Sequence, residues 1–192
     1  TMPVTATSFR ALHHARADKP GDPHSPRDGW FWAHMGWLCY RVIRPAGYTP
    51  PNTADDPTAR WQARYYFPMV ALSFAIILAV TGWEGFLLAG PFGIVLHWHA
   101  TWSVNSFGHL FGTRPLDSKG KPYTSDGSRN CFWIALFTII GEWLHYYHHA
   151  KADSAYFGWG PWDIDFGKWV LMLFEKMGLV RNVKKPPPAF AR

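Results

Sequence analysis

Between Tyr65 and Thr113 the only formally charged residue is Glu84. A helix that crosses a bilayer uses about 20 apolar residues, so this stretch has the length of two spans rather than one. Trp83-Glu84-Gly85 reads as the turn between them. Arg60 and Arg64 precede the stretch and Arg114, Lys119 and Lys121 follow it. Because loops on the cytosolic side of a membrane are enriched in Lys and Arg, both ends of a helical hairpin over 65–112 are expected on that side. The alternative is a helical hairpin buried in a soluble protein, which a run of this length fits less well.

Composition agrees with a membrane boundary. Aromatic residues make up 18% of the chain and 12 of them are Trp, a residue that favours the headgroup level of a bilayer. The mean hydropathy of -0.14 averages an apolar centre with polar flanks. The net charge of +6 comes from basic residues scattered between apolar segments. That distribution excludes a nucleic-acid groove and suits anionic lipid or an acidic redox partner. Cys39 and Cys131 lack the spacing of a zinc site or a disulfide scaffold and read as inert packing residues of a reducing compartment. Residues 1–9 do not have the charged and apolar regions of a signal peptide. No internal repeat divides the 192 residues, so 1–192 reads as a single domain.

The remaining segments complete an all-α reading: a membrane-embedded helical hairpin with a cytosolic helical cap. The apolar run 131–140 is half a span long and is expected at the interface or under the cap. Phe166, Trp169, Val170, Leu173, Phe174 and Met177 recur at the spacing of one helix face, predicting an amphipathic helix on the membrane surface that ends near Gly178. Loops are expected over 41–56 and 113–130, and the proline-rich tail 186–192 is expected to be extended and mobile.

Ten histidines carry the chemistry. In His145-Tyr146-Tyr147-His148-His149, positions i, i+3 and i+4 share one helix face, and neutral imidazole is a ligand for iron, zinc and copper. Asn105 and His109 share a face in the same way, where the second span leaves the bilayer. An ionisable residue there is a functional candidate; an Asn–His bond between helices is the structural alternative. His99 lies deeper on that helix and is a possible outer-shell residue, and His97 reads as a packed histidine. His13-His14 forms a third group. His24 and His34 read as single residues in solvent or in a local hydrogen bond.

The order of these segments resembles the membrane-bound fatty-acid desaturases of the delta-9 type, acting on acyl-CoA or acyl-lipid, from about Arg10 to Pro188. Asp22-Pro23-His24-Ser25-Pro26 and Gly29-Trp30-Phe31-Trp32-Ala33-His34-Met35-Gly36-Trp37 are similar to the stretch after that family's second histidine box. His99 to His109 resembles its Asn-Ser and following His, Arg129-Asn130, Gly141-Glu142 and His145–His149 resemble its third box region, and Trp162-Asp163 onward resembles its C-terminal cap. The resemblance implies that His13, His14, His109, His145, His148 and His149 are metal ligands, that Asn105 reaches the metal through water, and that the cofactor is a pair of iron ions. It implies desaturation of an acyl chain to a cis double bond, with dioxygen and with electrons from ferredoxin or a cytochrome-b-type donor. Membrane lipids surround the protein, at a bacterial inner membrane or at the endoplasmic reticulum.

Two departures qualify the resemblance. The family's second box reads H-x-x-H-H, but Arg10 stands three residues before His13, and a guanidinium offers no lone pair to a cation. The family's first histidine box and first hairpin have no counterpart here. The expectation is a C-terminal part of a desaturase, truncated at its N-terminus, with 1–9 an unrelated start and an incomplete site when alone. Two other functions use the same residues: a histidine-box lipid or carotenoid hydroxylase or ketolase, and a degenerate metal-binding membrane protein without turnover.

Overall fold

The computed structural model describes residues 10–39, 56–138 and 140–186. The expectations for residues 1–9, for most of the 41–56 loop and for all but the first residue of the 186–192 tail therefore lie outside the described residues. The described elements are helical: α1 (10–16), α2 (Trp30–His34), α3 (Pro57–Leu87), α4 (Gly93–Leu110), α5 (His145–Ala150) and α6 (Phe166–Lys176). No strand occurs among them, and the two isolated bridges, Thr113 with Asn130 and Leu116 with Pro122, only fold the loop between α4 and α5.

Asp56 starts α3 by accepting the Thr58 N–H at 2.8 Å, with Pro57 in the first helical position, where a missing N–H costs nothing. Helical hydrogen bonding then continues through a π-turn at Leu88–Phe92 into α4, giving a helical run from Pro57 to Leu110 that contains an 18-residue window of mean hydropathy 1.8. The run is not straight. Gly82 has φ 69° and ψ -172°, a conformation open to glycine and strained for a residue with a Cβ. The Phe74 and Phe86 rings meet edge to face at 5.6 Å, although 12 positions along a straight helix would separate them by about 18 Å. The chain therefore doubles back at Gly82 and forms the expected hairpin. The turn lies one residue earlier than Trp83-Glu84-Gly85, and those three residues are helical. No residue of α3 is buried, and Phe67, Leu72, Ile76 and Val80 are all exposed. An apolar helix without a protein environment is the pattern of a lipid-facing span.

The cap has the opposite pattern. Its small apolar core joins Val104 of α4 to Cys131 and Ile134, with Phe107 and Trp143 against them. Cys131 thus packs as expected, whereas Cys39 is exposed and is not a packing residue. The 131–140 run does not extend into a span: it forms a short 3-10 turn, Phe132–Leu136, that buries Ile134 and exposes Phe132, Trp133, Leu136 and Phe137. α6 forms over the expected residues, started by Asp165 accepting the Lys168 N–H and followed by Gly178 at φ 73°. Asp165 is buried because its other oxygen accepts the N–H groups of Phe157 and Gly158, at 2.9 and 2.8 Å, tying α6 to the loop after α5.

Candidate metal centre

Three elements converge on one point. α5 is only six residues long, too short to be stable by itself, and it is held by its neighbours. The buried Asn130 side chain accepts the Tyr146 N–H at 3.0 Å, and the buried Tyr146 hydroxyl accepts the Tyr123 N–H at 2.7 Å. This anchoring turns His145, His148 and His149 toward α1 and the end of α4. Gly108 lets α4 approach: a Cβ there would stand 3.0 Å from the His145 ring. A larger residue would push that imidazole away.

Four donor atoms, one each from His13, His109, His145 and His149, lie within 4.8 Å of one another. The Nε2 atoms of His109 and His145 are 3.0 Å apart, and those of His13 and His149 are 3.3 Å apart. Donors bound at about 2.1 Å around a tetrahedral ion stand about 3.4 Å from each other, so the set has the dimensions of a metal shell.

The outer nitrogens settle the protons. His13 Nδ1 donates to Asp22 at 2.9 Å, His109 Nδ1 donates to Asp18 at 2.8 Å, and His149 Nδ1 donates to Asp126 at 3.1 Å. A neutral imidazole that donates from Nδ1 keeps a lone pair on Nε2. Burial pushes the His149 ring down to about 4, even though its bond to Asp126 opposes the shift. Burial, followed by the neighbouring rings, drives His145 well below the ordinary imidazole range. When neutral, His13, His109 and His149 therefore each present an Nε2 lone pair to the centre, and the His145 Nε2 faces that of His109 across 3.0 Å. His145 Nδ1 is buried without a partner.

The carboxylates are themselves fixed. Asp18 also accepts the Gly127 N–H, Asp22 accepts the N–H groups of Asp18 and His24, and Asp126 accepts from Thr124 and from the Ser128 backbone and hydroxyl. Burial would raise Asp18 and Asp22 and is the largest single influence, but the histidine hydrogen bonds, the histidine charges and the backbone N–H bonds together hold both below the usual carboxylate range. Asp126 lies well below that range because, against its burial, the His149 bond and charge and the Ser128 and Thr124 hydrogen bonds all favour the carboxylate.

His14 and His148 form a second, different pair. Their Nε2 atoms are 3.0 Å apart, and an Arg10 N–H donates to the His148 Nε2 at 3.1 Å. Burial, then the nearby rings and Arg10, lowers His14 to about 2; burial and the Arg10 charge lower His148 to about 3. Beside this pair opens a cavity of about 280 Å³, lined among others by Trp37, Trp102, Val104, Asn105 and Glu142. Asn105 thus faces the space in front of the histidines. Burial raises the Glu142 carboxyl, with His97, Arg10 and Thr138 opposing.

His99 goes elsewhere. Its Nδ1 lies 3.0 Å from His34 Nε2, and His34 Nδ1 lies 3.0 Å from Ser106 Oγ, a pairing that links α4 to α2. His34 is therefore in a hydrogen bond, but across the fold rather than locally. His24 is buried and stacked on His13 at 4.2 Å, and with His13 and Asp22 it forms a second group of possible donors. His97 is exposed rather than packed.

The residues missing from the sequence reading are the three aspartates. Asp22 belongs to the quoted Asp-Pro-His-Ser-Pro segment but received no role, and Asp18 and Asp126 carry no spacing signal. Only the fold places Asp126 beside His149, 23 positions away, and Asp18 beside His109, 91 positions away.

No family model matches the chain. Relatives are found among the curated proteins. The chain is 34% identical over 185 residues to the sn-1 stearoyl-lipid 9-desaturase of Anabaena variabilis, covering 95% of this chain and 65% of that protein. It is 35% identical over 193 residues to the sn-2 palmitoyl-lipid 9-desaturase of Nostoc sp. (strain 36), covering 97% and 65%. A hex-5-enoyl-[acyl-carrier protein] acetylenase of Moorena producens (strain JHB) is 34% identical over 204 residues, covering 95% and 61%. The chain thus spans somewhat under two thirds of the length of these relatives. With an all-helical fold, a long apolar run and a buried histidine cluster that preserve the order of segments, the chain belongs to the delta-9 fatty-acid desaturase family.

Proposed function

We propose that this chain carries the metal-binding half of an oxygen-dependent fatty-acyl desaturase that places a cis double bond in an acyl chain. The observation that carries the reading is the set of inward Nε2 atoms held by three carboxylates, the buried Asp18 and Asp22 and the half-buried Asp126, beside a cavity lined in part by Trp37, Trp102 and Val104. His13, His109, His145 and His149 would hold one iron, and His14 and His148 would contribute to a second, with Asn105 reaching it through water. When bound, the irons supply dioxygen activation and the electron transfers that no side chain provides.

The chain's own residues prepare the site. Asp18, Asp22 and Asp126 keep the Nδ1 protons in place, so the ring planes and lone pairs are fixed before any ligand arrives. The Trp37, Trp102 and Val104 side of the cavity would give apolar contact to the methylene groups to be oxidised. Overall, an acyl –CH2–CH2– unit, dioxygen, two electrons and two protons become a double bond and two waters, with the electrons from ferredoxin or a cytochrome-b-type donor. Acyl-CoA or acyl-lipid is the proposed substrate, since lipid carriers stand in the names of two relatives, and the acyl-carrier-protein relative makes the carrier the first variable to test. The basic residues flanking the hairpin support a cytosolic position for the cap.

The test supplies membranes containing the chain with iron, reductant, electron donor and acyl substrate, and repeats this with the N-terminal part of a relative co-expressed. A product lighter by two hydrogens in the combined membranes supports desaturation. A product heavier by one oxygen would assign the chain to the hydroxylases, and no oxidised product in either arm would overturn the enzymatic reading.

A further inference from the structure

The two halves of the histidine cluster are not equivalent. In one, each of His13, His109 and His149 is braced by a carboxylate on its outer nitrogen, and the inner nitrogens are left without hydrogen. In the other, the donor atom of His148 faces His14 and also receives an N–H from Arg10 at 3.1 Å. A lone pair engaged by an N–H is not available to a metal ion, and a guanidinium does not lose its proton in a protein. Positive charge beside that nitrogen also repels an incoming cation. Arg10 is an exposed residue whose guanidinium reaches the cluster, and it lines both the cavity in front of the cluster and a second opening of about 360 Å³ bounded by His14, His148 and Phe157. It has room to stay over the pair or to swing out.

We propose that Arg10 is a positively charged plug over the second metal position, so that this chain binds one ion tightly at His13, His109, His145 and His149 and admits a second only when Arg10 is displaced. This inference rests on the metal-dependent reading of the cluster. It makes the centre asymmetric: the braced half is preformed for a metal, and the other half is closed by a side chain of α1. Position 10 also shares the helix face of His13 and His14, being three and four residues away. An imidazole there could replace the plug with a donor.

The experiment measures metal content directly. The purified chain in detergent is titrated with Co(II) under anaerobic conditions, with absorbance and metal analysis after desalting, for the parent and for Arg10→Ala, Arg10→Lys and Arg10→His. Expected are one retained equivalent in the parent and in Arg10→Lys, a second in Arg10→Ala, and a second held on the order of tenfold more tightly in Arg10→His than in Arg10→Ala. Two equivalents of equal affinity in the parent would overturn the plug while leaving the histidine metal centre standing. So would a single equivalent in all four proteins. No retained cobalt in any of them would overturn the metal-dependent reading itself, and the plug with it.

Discussion

The hairpin and the cap invert each other. α3 buries none of its residues and exposes Phe67, Leu72, Ile76 and Val80, whereas the cap buries His13, Asp22, His109, Asn130, His145 and Asp165. In water the second arrangement needs every buried polar group paired and the first should not persist. Both make sense at a bilayer surface, where lipid supplies the apolar contacts of the hairpin and the cap uses its interior for polar chemistry. Apolar packing in the cap is spread among its polar groups: Val104, Cys131 and Ile134 form one small cluster, and Leu12, Leu144, Tyr146 and Trp159 are buried elsewhere in it. Its shape therefore also depends on the hydrogen-bonded carboxylates and, under the proposed function, on a metal held by the histidines, and that dependence is what separates it experimentally from the hairpin.

The largest expected difference follows removal of His109, which contributes one of the four inward donors. Replacing an outer hydrogen-bond partner of a metal ligand commonly lowers affinity about 10- to 100-fold, so His109→Ala, which deletes a proposed ligand, should lose more than about 100-fold. Metal analysis after dialysis measures this, and the detergent-resistant helical signal of the hairpin should not change. Loss of both together would show that the two regions are one cooperative unit.

Acid separates them next. In the metal-free cap the folded state holds His149 near 4, His148 near 3 and His14 near 2, all lowered chiefly by burial, while an unfolded chain binds protons near 6.5. Below about 6.5 the unfolded state binds more protons, so the stability of the cap falls as pH drops toward 4, by an amount on the order of a few kcal/mol. Trp fluorescence and near-ultraviolet circular dichroism should report loss of the cap across that window at constant helical content of the hairpin. A cap that is equally stable at pH 6.5 and pH 4 would mean that these rings are not buried and neutral.

How much of this was readable from the sequence differs between the regions for a physical reason. The hairpin is a local object: an apolar run with one charge states its length and composition without reference to anything else, and only the turn moved, from Trp83 to Gly82. The His145–His149 face was also local, because i, i+3 and i+4 meet on any helix. The bracing of these rings was not. Asp18 reaches His109 and Asp126 reaches His149 only after the loops close, and aspartates in loops look alike until then. The same holds for His34, which reads as solitary and pairs with His99 across 65 positions. Periodicity finds donors; the partners that orient them are set by tertiary structure.

The lipid-facing reading of α3 yields a smaller and cleaner test. Leu72 is 60% exposed and sits well inside the helix. On a water-exposed surface Leu72→Arg would change stability by no more than about 0.5 kcal/mol. At the centre of a span it should cost about 3 kcal/mol on a membrane-insertion scale. Glycosylation-site mapping of the inserted fraction distinguishes the two. Unchanged insertion would place that face of α3 against water or protein.

The smallest expected effect tests how the two arms of the hairpin are joined. Gly82 has φ 69° with no atom near the place a Cβ would take, so the objection to a side chain there is conformational and not steric crowding by neighbours. A residue with a Cβ pays roughly 1–2 kcal/mol for the left-handed region, and the extended ψ of -172° makes this position worse than an ordinary left-handed turn. Gly82→Ala should therefore destabilise the turn by about 1–2 kcal/mol and favour a continuous helix from Pro57 toward Leu110. The edge-to-face contact of Phe74 with Phe86 exists only while the chain doubles back, which provides a readout that stability alone does not. Cysteines placed at 74 and 86 should crosslink readily in the parent and less in Gly82→Ala, with the metal content of the cap unaffected. Equal crosslinking in the two proteins would show that the reversal is imposed by lipid and by the arms themselves, and that Gly82 merely tolerates it.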